Sequence, residues 1–176
     1  MSFAVTESSA RDGGVGKRAP VLRAPTIQDG LGVKQLISTC PPLDLNSTYC
    51  YLILCEHFAE TSVVAEMSGE IVGVITGYRT PQNPQILFVW QVAVNPKYRG
   101  NGLGNRMLQS LWDRLVPKGV SEINTTVAPA NLPSLSLFES FAKSNSAYLE
   151  KTKFIDSSFF GEESHENEDL ISIKTR

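Results

Sequence analysis

Arg99-Gly100-Asn101-Gly102-Leu103-Gly104 stands between a nearly continuous apolar run, Ile86 to Val94, and a stretch with apolar residues at Leu103, Met107, Leu108, Leu111 and Leu115. The run reads as a strand buried on both faces, and the spacing after it as an amphipathic helix that begins inside the glycine loop. Asn95-Pro96 ends the strand, because proline brings no amide donor. A loop in this setting aims several backbone amides at one point, where the helix dipole also favours negative charge. A pyrophosphate fits that point. A side chain at Gly100, Gly102 or Gly104 would obstruct positive φ angles or hold phosphates away from the amides, and Arg99 adds a cation able to grip an anion with two N–H groups.

The same glycines could mark a plain surface turn, but such a turn needs neither a buried strand before it nor an amphipathic helix after it. Neither of the common nucleotide loops fits. The loop has no Lys-Ser/Thr, lies late in the chain, and lacks the acidic residue at the spacing that grips a ribose.

Outward from the loop, Glu122 to Val127 reads as a strand after Pro117 and Gly119, Ala130 to Lys143 as a helix, and Phe154 to Phe160 with Leu170 to Lys174 as a closing strand pair. Upstream, Thr61 to Met67 and Ile71 to Tyr78 read as strands joined at Ser68-Gly69. Two helices precede them. One runs through Val33, Leu36 and Ile37 from caps at Thr26 to Asp29 and stops before Pro41-Pro42; the other carries Tyr49, Leu52 and Ile53, with candidate caps from Asp44 to Ser47. Val21-Leu22-Arg23 reads as a short strand. Residues 1–20, rich in Ser, Ala and Gly without apolar periodicity, read as a flexible tail, so the folded unit is expected over residues 21–176.

Composition narrows the class of partner. A chain of 176 residues with 41% hydrophobic content fits one domain whose core needs no metal or disulfide. The formal charge of -2, from 16 basic and 18 acidic side chains, gives no reason to expect nucleic acid or an anionic membrane. A small molecule is the expected ligand. Cys40, Cys50 and Cys55 are odd in number and form no C-x-x-C pair, which suggests free thiols in a reducing cytoplasm. No apolar run reaches membrane-spanning length, and the first residues lack a secretory core.

The order of elements, the Arg99 to Gly104 loop, and a later strand followed by Asn131-x-x-Ser134-x-x-x-Phe138 together resemble the GNAT acetyltransferase superfamily over roughly Val21 to Lys174. The resemblance implies an α/β fold with a central mixed, mostly antiparallel twisted sheet, flanked by helices, and a splay between Ile86 to Val94 and Glu122 to Val127. It also implies acetyl-CoA as the acyl donor. Main-chain groups of Val92, Ala93 and Val94 would pair with the pantetheine arm. Arg99, Gly100, Asn101, Gly102, Leu103, Gly104 and Asn105 would hold pyrophosphate, and Asn131, Ser134 and Phe138 would border the arm. Many family members place a tyrosine, taken to protonate the leaving thiolate, where this chain has Phe138. Tyr49, Tyr148 or solvent are left for that role.

A second resemblance, to the diaminobutyrate acetyltransferase family of ectoine biosynthesis, rests on Cys40 to Ser47, Tyr49 to Phe58, Ala59 to Glu66, Leu87 to Val92 and His165-Glu166. It implies acetylation of the side-chain amine of L-2,4-diaminobutyrate, and a homodimer. Such an acceptor carries two ammonium groups and one carboxylate, so acidic and aromatic side chains should hold it. Asp44, Tyr49, Glu56, Trp90 and Gln91 are the candidates. The bland readings are a helix cap for Asp44 and a core aromatic for Trp90.

An alkyl ammonium with a pKa of about 10 must lose its proton before it attacks, at roughly 4 kcal/mol near neutral pH. Glu168, in the acidic run Glu162 to Asp169, is the candidate base, with His165 and Glu56-His57 as alternatives. By composition alone that run reads as a solvated loop. His165-Glu166-Asn167-Glu168-Asp169 falls short of H-E-x-x-H, so no metal is expected. The expected reaction is direct transfer in a ternary complex, with a main-chain amide near Val92 on the oxyanion. Two other readings use the same residues: a GNAT enzyme for another small amine such as a polyamine, and a regulator that binds acyl-CoA without turnover.

Overall fold

A computed structural model describes residues 19–162 and 165–175, so nearly all of the tail expected over residues 1–20 lies outside the described residues. Seven strands form one sheet in the order β1-β2-β3-β4-β5-β7-β6. They are β1 (Val21–Arg23), β2 (Val63–Met67), β3 (Glu70–Thr80), β4 (Asn83–Val94), β5 (Glu122–Val127), β6 (Tyr148–Ile155) and β7 (Glu168–Lys174). Neighbours run antiparallel except β4 and β5, which are parallel. This is the mixed, mostly antiparallel sheet that the sequence leads one to expect.

Helices α1 (Gly30–Ser38) and α2 (Thr48–His57) pack on one face of the sheet, and α3 (Leu103–Leu115) and α4 (Leu132–Ser144) on the other. The spacing of α3 puts Leu103, Met107, Leu108, Leu111 and Leu115 in the core, each contributing about 1.5 to 3 kcal/mol of burial. Between the faces, β4 changes sides. Leu87 and Val89 pack under α3 and α4, whereas Ala93 packs under α1 and α2. Side chains alternate along a regular strand, so two odd-numbered positions cannot face opposite ways without an inserted residue.

That insertion is Trp90. Thr76 pairs with Gln91 and Gly77 pairs with Val89, leaving Trp90 as the extra residue of a bulge. Buried hydroxyls replace the ladder bonds lost there: Thr76 Oγ1 accepts from the Gln91 amide at 3.2 Å, and Thr61 Oγ1 donates to the Gly77 carbonyl at 2.7 Å. A Cβ on Gly77 would lie 2.7 Å from the Phe88 carbonyl oxygen, so only glycine lets the strands approach. At the same level the β4–β5 pairing ends, with Val89 opposite Thr125 as its last pair. Residues 90–94 therefore have an open side, which is the expected splay.

Several boundaries differ from the expectation: β2 begins at Val63, β3 spans Glu70–Thr80, β4 begins at Asn83 and β7 at Glu168, and two further shifts have a visible cause. The penultimate strand is β6, Tyr148–Ile155, rather than Phe154 to Phe160, which instead ends in a 3-10 turn at Ser157–Phe160 started by the Asp156 side chain. Glu150, Lys151 and Lys153 interrupt any apolar alternation in β6, as befits an edge strand whose charges discourage further pairing. Helix α4 begins at Leu132, two residues later than expected, because Asn131 caps it by accepting from the Ser134 amide at 3.2 Å.

Candidate active site

The open end of β4 forms one wall of a cleft of about 380 Å³. Val92, Ala93 and Val94 line it, with Tyr98 through the glycine loop on one side, the start of α4 on another, and Cys40-Pro41-Pro42-Leu43 closing the third. Strand geometry decides which backbone groups face inward. The Asn95 amide bonds the Val72 carbonyl and the Gln91 amide bonds Thr76, so odd-numbered residues here point at β3. The amides and carbonyls of Val92 and Val94 then point into the splay.

Gly100 and Gly102 adopt φ of 75° and 69°, the left-handed region that favours glycine. The first helical bond of α3 runs from the Arg106 amide to the Gly102 carbonyl, so the amides of Gly102, Leu103, Gly104 and Asn105 have no partner within the helix. One more observation fits an anion there: Arg99 lines the cleft and its terminal nitrogens have no partner among the described residues. Asn105 also lines the cleft, but its buried, unpartnered Oδ1 is an acceptor and calls for a donor rather than an anion. Gly104 serves a purpose other than the one expected: its φ is helical, and a Cβ would sit 3.1 Å from Leu137, so it lets α4 approach α3.

The structure redistributes some expected coenzyme contacts. Val92, Ala93, Val94, Arg99, Gly100, Gly102, Leu103, Gly104, Asn105, Asn131 and Ser134 all line the cleft. Asn101 is outside the lining, bonding back to the Arg99 carbonyl at 3.1 Å. Phe138 is also outside it, 2% exposed in the core beneath α3, while Leu137 takes the place on the wall. The Val94 carbonyl is engaged, accepting from Arg99 Nε at 2.9 Å and from Cys40 Sγ at 3.5 Å. Arg99 is thereby fixed across the mouth of the cleft.

On the acceptor side, Gln91 is 4% exposed and its Nε2 donates to the Asp44 carbonyl at 2.8 Å. It acts on Asp44 through the backbone and has no open surface for a ligand. The Asp44 carboxylate is 83% exposed and lies 3.8 Å from His165 Nε2. It does not cap α2, a task taken by Ser47, which accepts from the Cys50 amide at 3.2 Å. Trp90 is 44% exposed at the bulge, so the core reading fails for it too.

Glu168 opens β7 beside these groups. Burial pushes its carboxyl pKa up; His165 and a hydrogen bond with Thr126 oppose that shift, and Asp44 and Glu166 add to it. Thr126 is the first β5 residue past the last β4 pair, so Glu168 stands at the splay. The acidic run is therefore not merely a solvated loop at this position. Tyr49 lies 72% exposed in the first turn of α2, outside the cleft wall. Glu56 and His57 are exposed in the last turn of α2, about 10 Å farther along its axis, and do not join the cluster. Tyr148 is exposed on β6.

Sequence reasoning missed three supporting residues. Tyr51 is fully buried, and its hydroxyl accepts from the Asn46 amide at 3.1 Å, fixing the loop that bears Asp44. Phe160 stacks on His165, and Tyr98 lines the cleft. Only Tyr98, one residue before the Arg99 loop, offered a positional signal.

The acetyltransferase (GNAT) family model matches residues 32–142. L-2,4-diaminobutyric acid acetyltransferase of Methylotuvimicrobium alcaliphilum is 44% identical over 152 residues, 86% of this chain and 88% of that one. Its namesake in Virgibacillus pantothenticus is 45% identical over 149 residues, covering 85% of this chain and 94% of the relative. Among solved structures, diaminobutyrate acetyltransferase EctA from Paenibacillus lautus, in complex with its substrate L-2,4-diaminobutyric acid and coenzyme A, superposes with a TM-score of 0.84 at 41% identity. That match covers 88% of this chain and 93% of the other.

Proposed function

Since this chain belongs to the acetyltransferase (GNAT) family, and within it to the L-2,4-diaminobutyric acid acetyltransferases, we propose that it transfers the acetyl group of acetyl-CoA to the 4-amino group of L-2,4-diaminobutyrate. The product, N4-acetyl-L-2,4-diaminobutyrate, is the precursor of ectoine. The observation that carries this reading is the splay at Trp90. It has unpartnered amides of the glycine loop on its donor side and Asp44, His165 and Glu168 on its acceptor side.

The residues divide the work as follows. Amides from Gly102 to Asn105 and the Arg99 guanidinium hold the pyrophosphate, while the Val92 backbone and the Val94 amide present strand-like groups to the pantetheine arm. Asp44 and Trp90 hold ammonium groups of the acceptor, by charge and by the indole face. Glu168 takes the proton from the attacking amine. Its raised pKa brings it closer to the working pH, where a carboxylate is a more competent base. The neutral amine attacks the thioester in a ternary complex, and the Val92 amide donates to the developing oxyanion. Phe138 cannot give up a proton, and Tyr49 lies outside the cleft wall and would have to turn inward to reach the leaving thiolate, so solvent stands beside Tyr49 as the proposed proton source.

Exposed Tyr148 and Phe154 on the edge strand β6, with Phe159 just beyond, support a homodimer. Use of acetyl-CoA and the free thiols of Cys40, Cys50 and Cys55 support a cytoplasmic setting.

Thiol release from acetyl-CoA, measured with diaminobutyrate, ornithine, spermidine and lysine, tests the assignment. The expected result is turnover with diaminobutyrate far above the others, with the acetyl group on N4 by NMR of the product. Turnover confined to spermidine, or coenzyme binding without thiol release, would overturn it.

A further inference from the structure

We propose that Phe160 is a positioning residue for the acceptor site, acting through His165. The two rings are stacked, with centroids 3.8 Å apart and planes within 12°. On the same imidazole, Nδ1 lies 3.0 Å from the Glu166 carbonyl and Nε2 lies 3.8 Å from the Asp44 carboxylate. Phe160 holds one face of the ring and the Glu166 carbonyl one edge, in an orientation that turns Nε2 toward Asp44.

A second tie keeps Phe160 in place. The Ser157 amide, at the start of the turn that ends with Phe160, donates to Asn167 Oδ1 at 2.7 Å. Asn167 directly precedes Glu168. The stack and this bond therefore fasten the Ser157–Phe160 turn to both His165 and the start of β7. An aliphatic side chain at 160 could fill the space but could not offer a flat face to the imidazole.

The inference rests on the proposed acetylation of diaminobutyrate, for which Asp44 and Glu168 are the acceptor-side groups. In the full-length protein, the His165 ring protons should be shielded by the face of Phe160 in NMR spectra, and Phe160→Leu should abolish that shift. The same variant should lose about two- to tenfold in kcat/KM for diaminobutyrate while the KM for acetyl-CoA stays unchanged. Phe160→Tyr, which keeps the ring, should restore both readouts.

Shielding that survives Phe160→Leu would overturn the stack. Wild-type kinetics after its loss would overturn the positioning role, as would equal rises in both KM values with a lowered melting temperature. If the wild-type protein releases no thiol with diaminobutyrate, the proposed function fails instead, and the NMR comparison still reports on the stack.

Discussion

Gln91 Nε2 and the Asp44 carbonyl meet at 2.8 Å across the interface between the sheet and the loop joining α1 to α2. Gln91 is the residue just past the bulge in β4, so it faces α1 and α2, whereas Val89 before the bulge faces α3 and α4. The loop it grips also supplies Cys40 to Leu43 to the coenzyme cleft. One buried amide thus ties the cleft wall at Cys40 to Leu43 to the proposed acceptor carboxylate of Asp44.

Replacing that amide by an apolar group of similar length should therefore act at a distance. Gln91→Met should cost about 1 kcal/mol of stability, the net worth of a buried hydrogen bond. It should also raise the KM for diaminobutyrate severalfold, because Asp44 loses its anchor. Thermal melting and steady-state kinetics check the two effects, and an unchanged KM would show that Asp44 is held well enough by Tyr51 and Asn46.

Gly102 combines a φ of 69° with open space around the position a Cβ would take. The effect of Gly102→Ala should therefore come from the backbone, at about 1 to 2 kcal/mol for a left-handed alanine. Relief of that strain would turn the following amides away from their common point. Calorimetric titration with coenzyme A should show weaker binding, while the KM for diaminobutyrate stays near wild type.

Much of this was legible in the sequence where local chemistry dominates. The apolar spacing of Leu103 to Leu115 gave α3 its observed limits, and proline after Asn95 closed β4 at Val94. What escaped depends on contacts between distant segments. Trp90 reads as one more apolar residue in a buried strand, and only the pairing with Thr76 and Gly77 makes it a bulge. Gln91 reads as a possible ligand, and only Asp44, 47 residues away, makes it a tether. Strand β6 was displaced because its charges suit an edge, which periodicity cannot register.

The three thiols should be dispensable for acyl transfer. Burial pushes the Cys55 thiol up to about 11, leaving little thiolate at neutral pH, and Cys40 Sγ is directed at the Val94 carbonyl. Replacing Cys40, Cys50 and Cys55 one at a time by Ala or Ser should preserve most of kcat. Mass spectrometry of a single turnover should find no acetylated cysteine; an acetyl group trapped on Cys40 would replace direct transfer by a two-step route.

Glu168, the proposed base, links stability to the proposed catalysis through one proton. Burial raises its pKa in the folded chain above the unfolded value, so the folded state binds more protons across that interval. Stability from this group is therefore greatest below the ordinary glutamate range and declines as pH rises through the folded pKa. Glu168→Gln, which carries no charge at any pH, should melt higher than wild type near neutral pH, and this advantage should vanish in acid. Catalysis should move the other way: the variant loses its base and should be slow at neutral pH. The neutral fraction of an amine with a pKa of about 10 grows tenfold per pH unit below that value, so the deficit should shrink toward alkaline pH. Melting curves and rate profiles on the same samples would separate the two effects. Wild-type rates at pH 7 would remove Glu168 from the base role even if the stability change appears as expected.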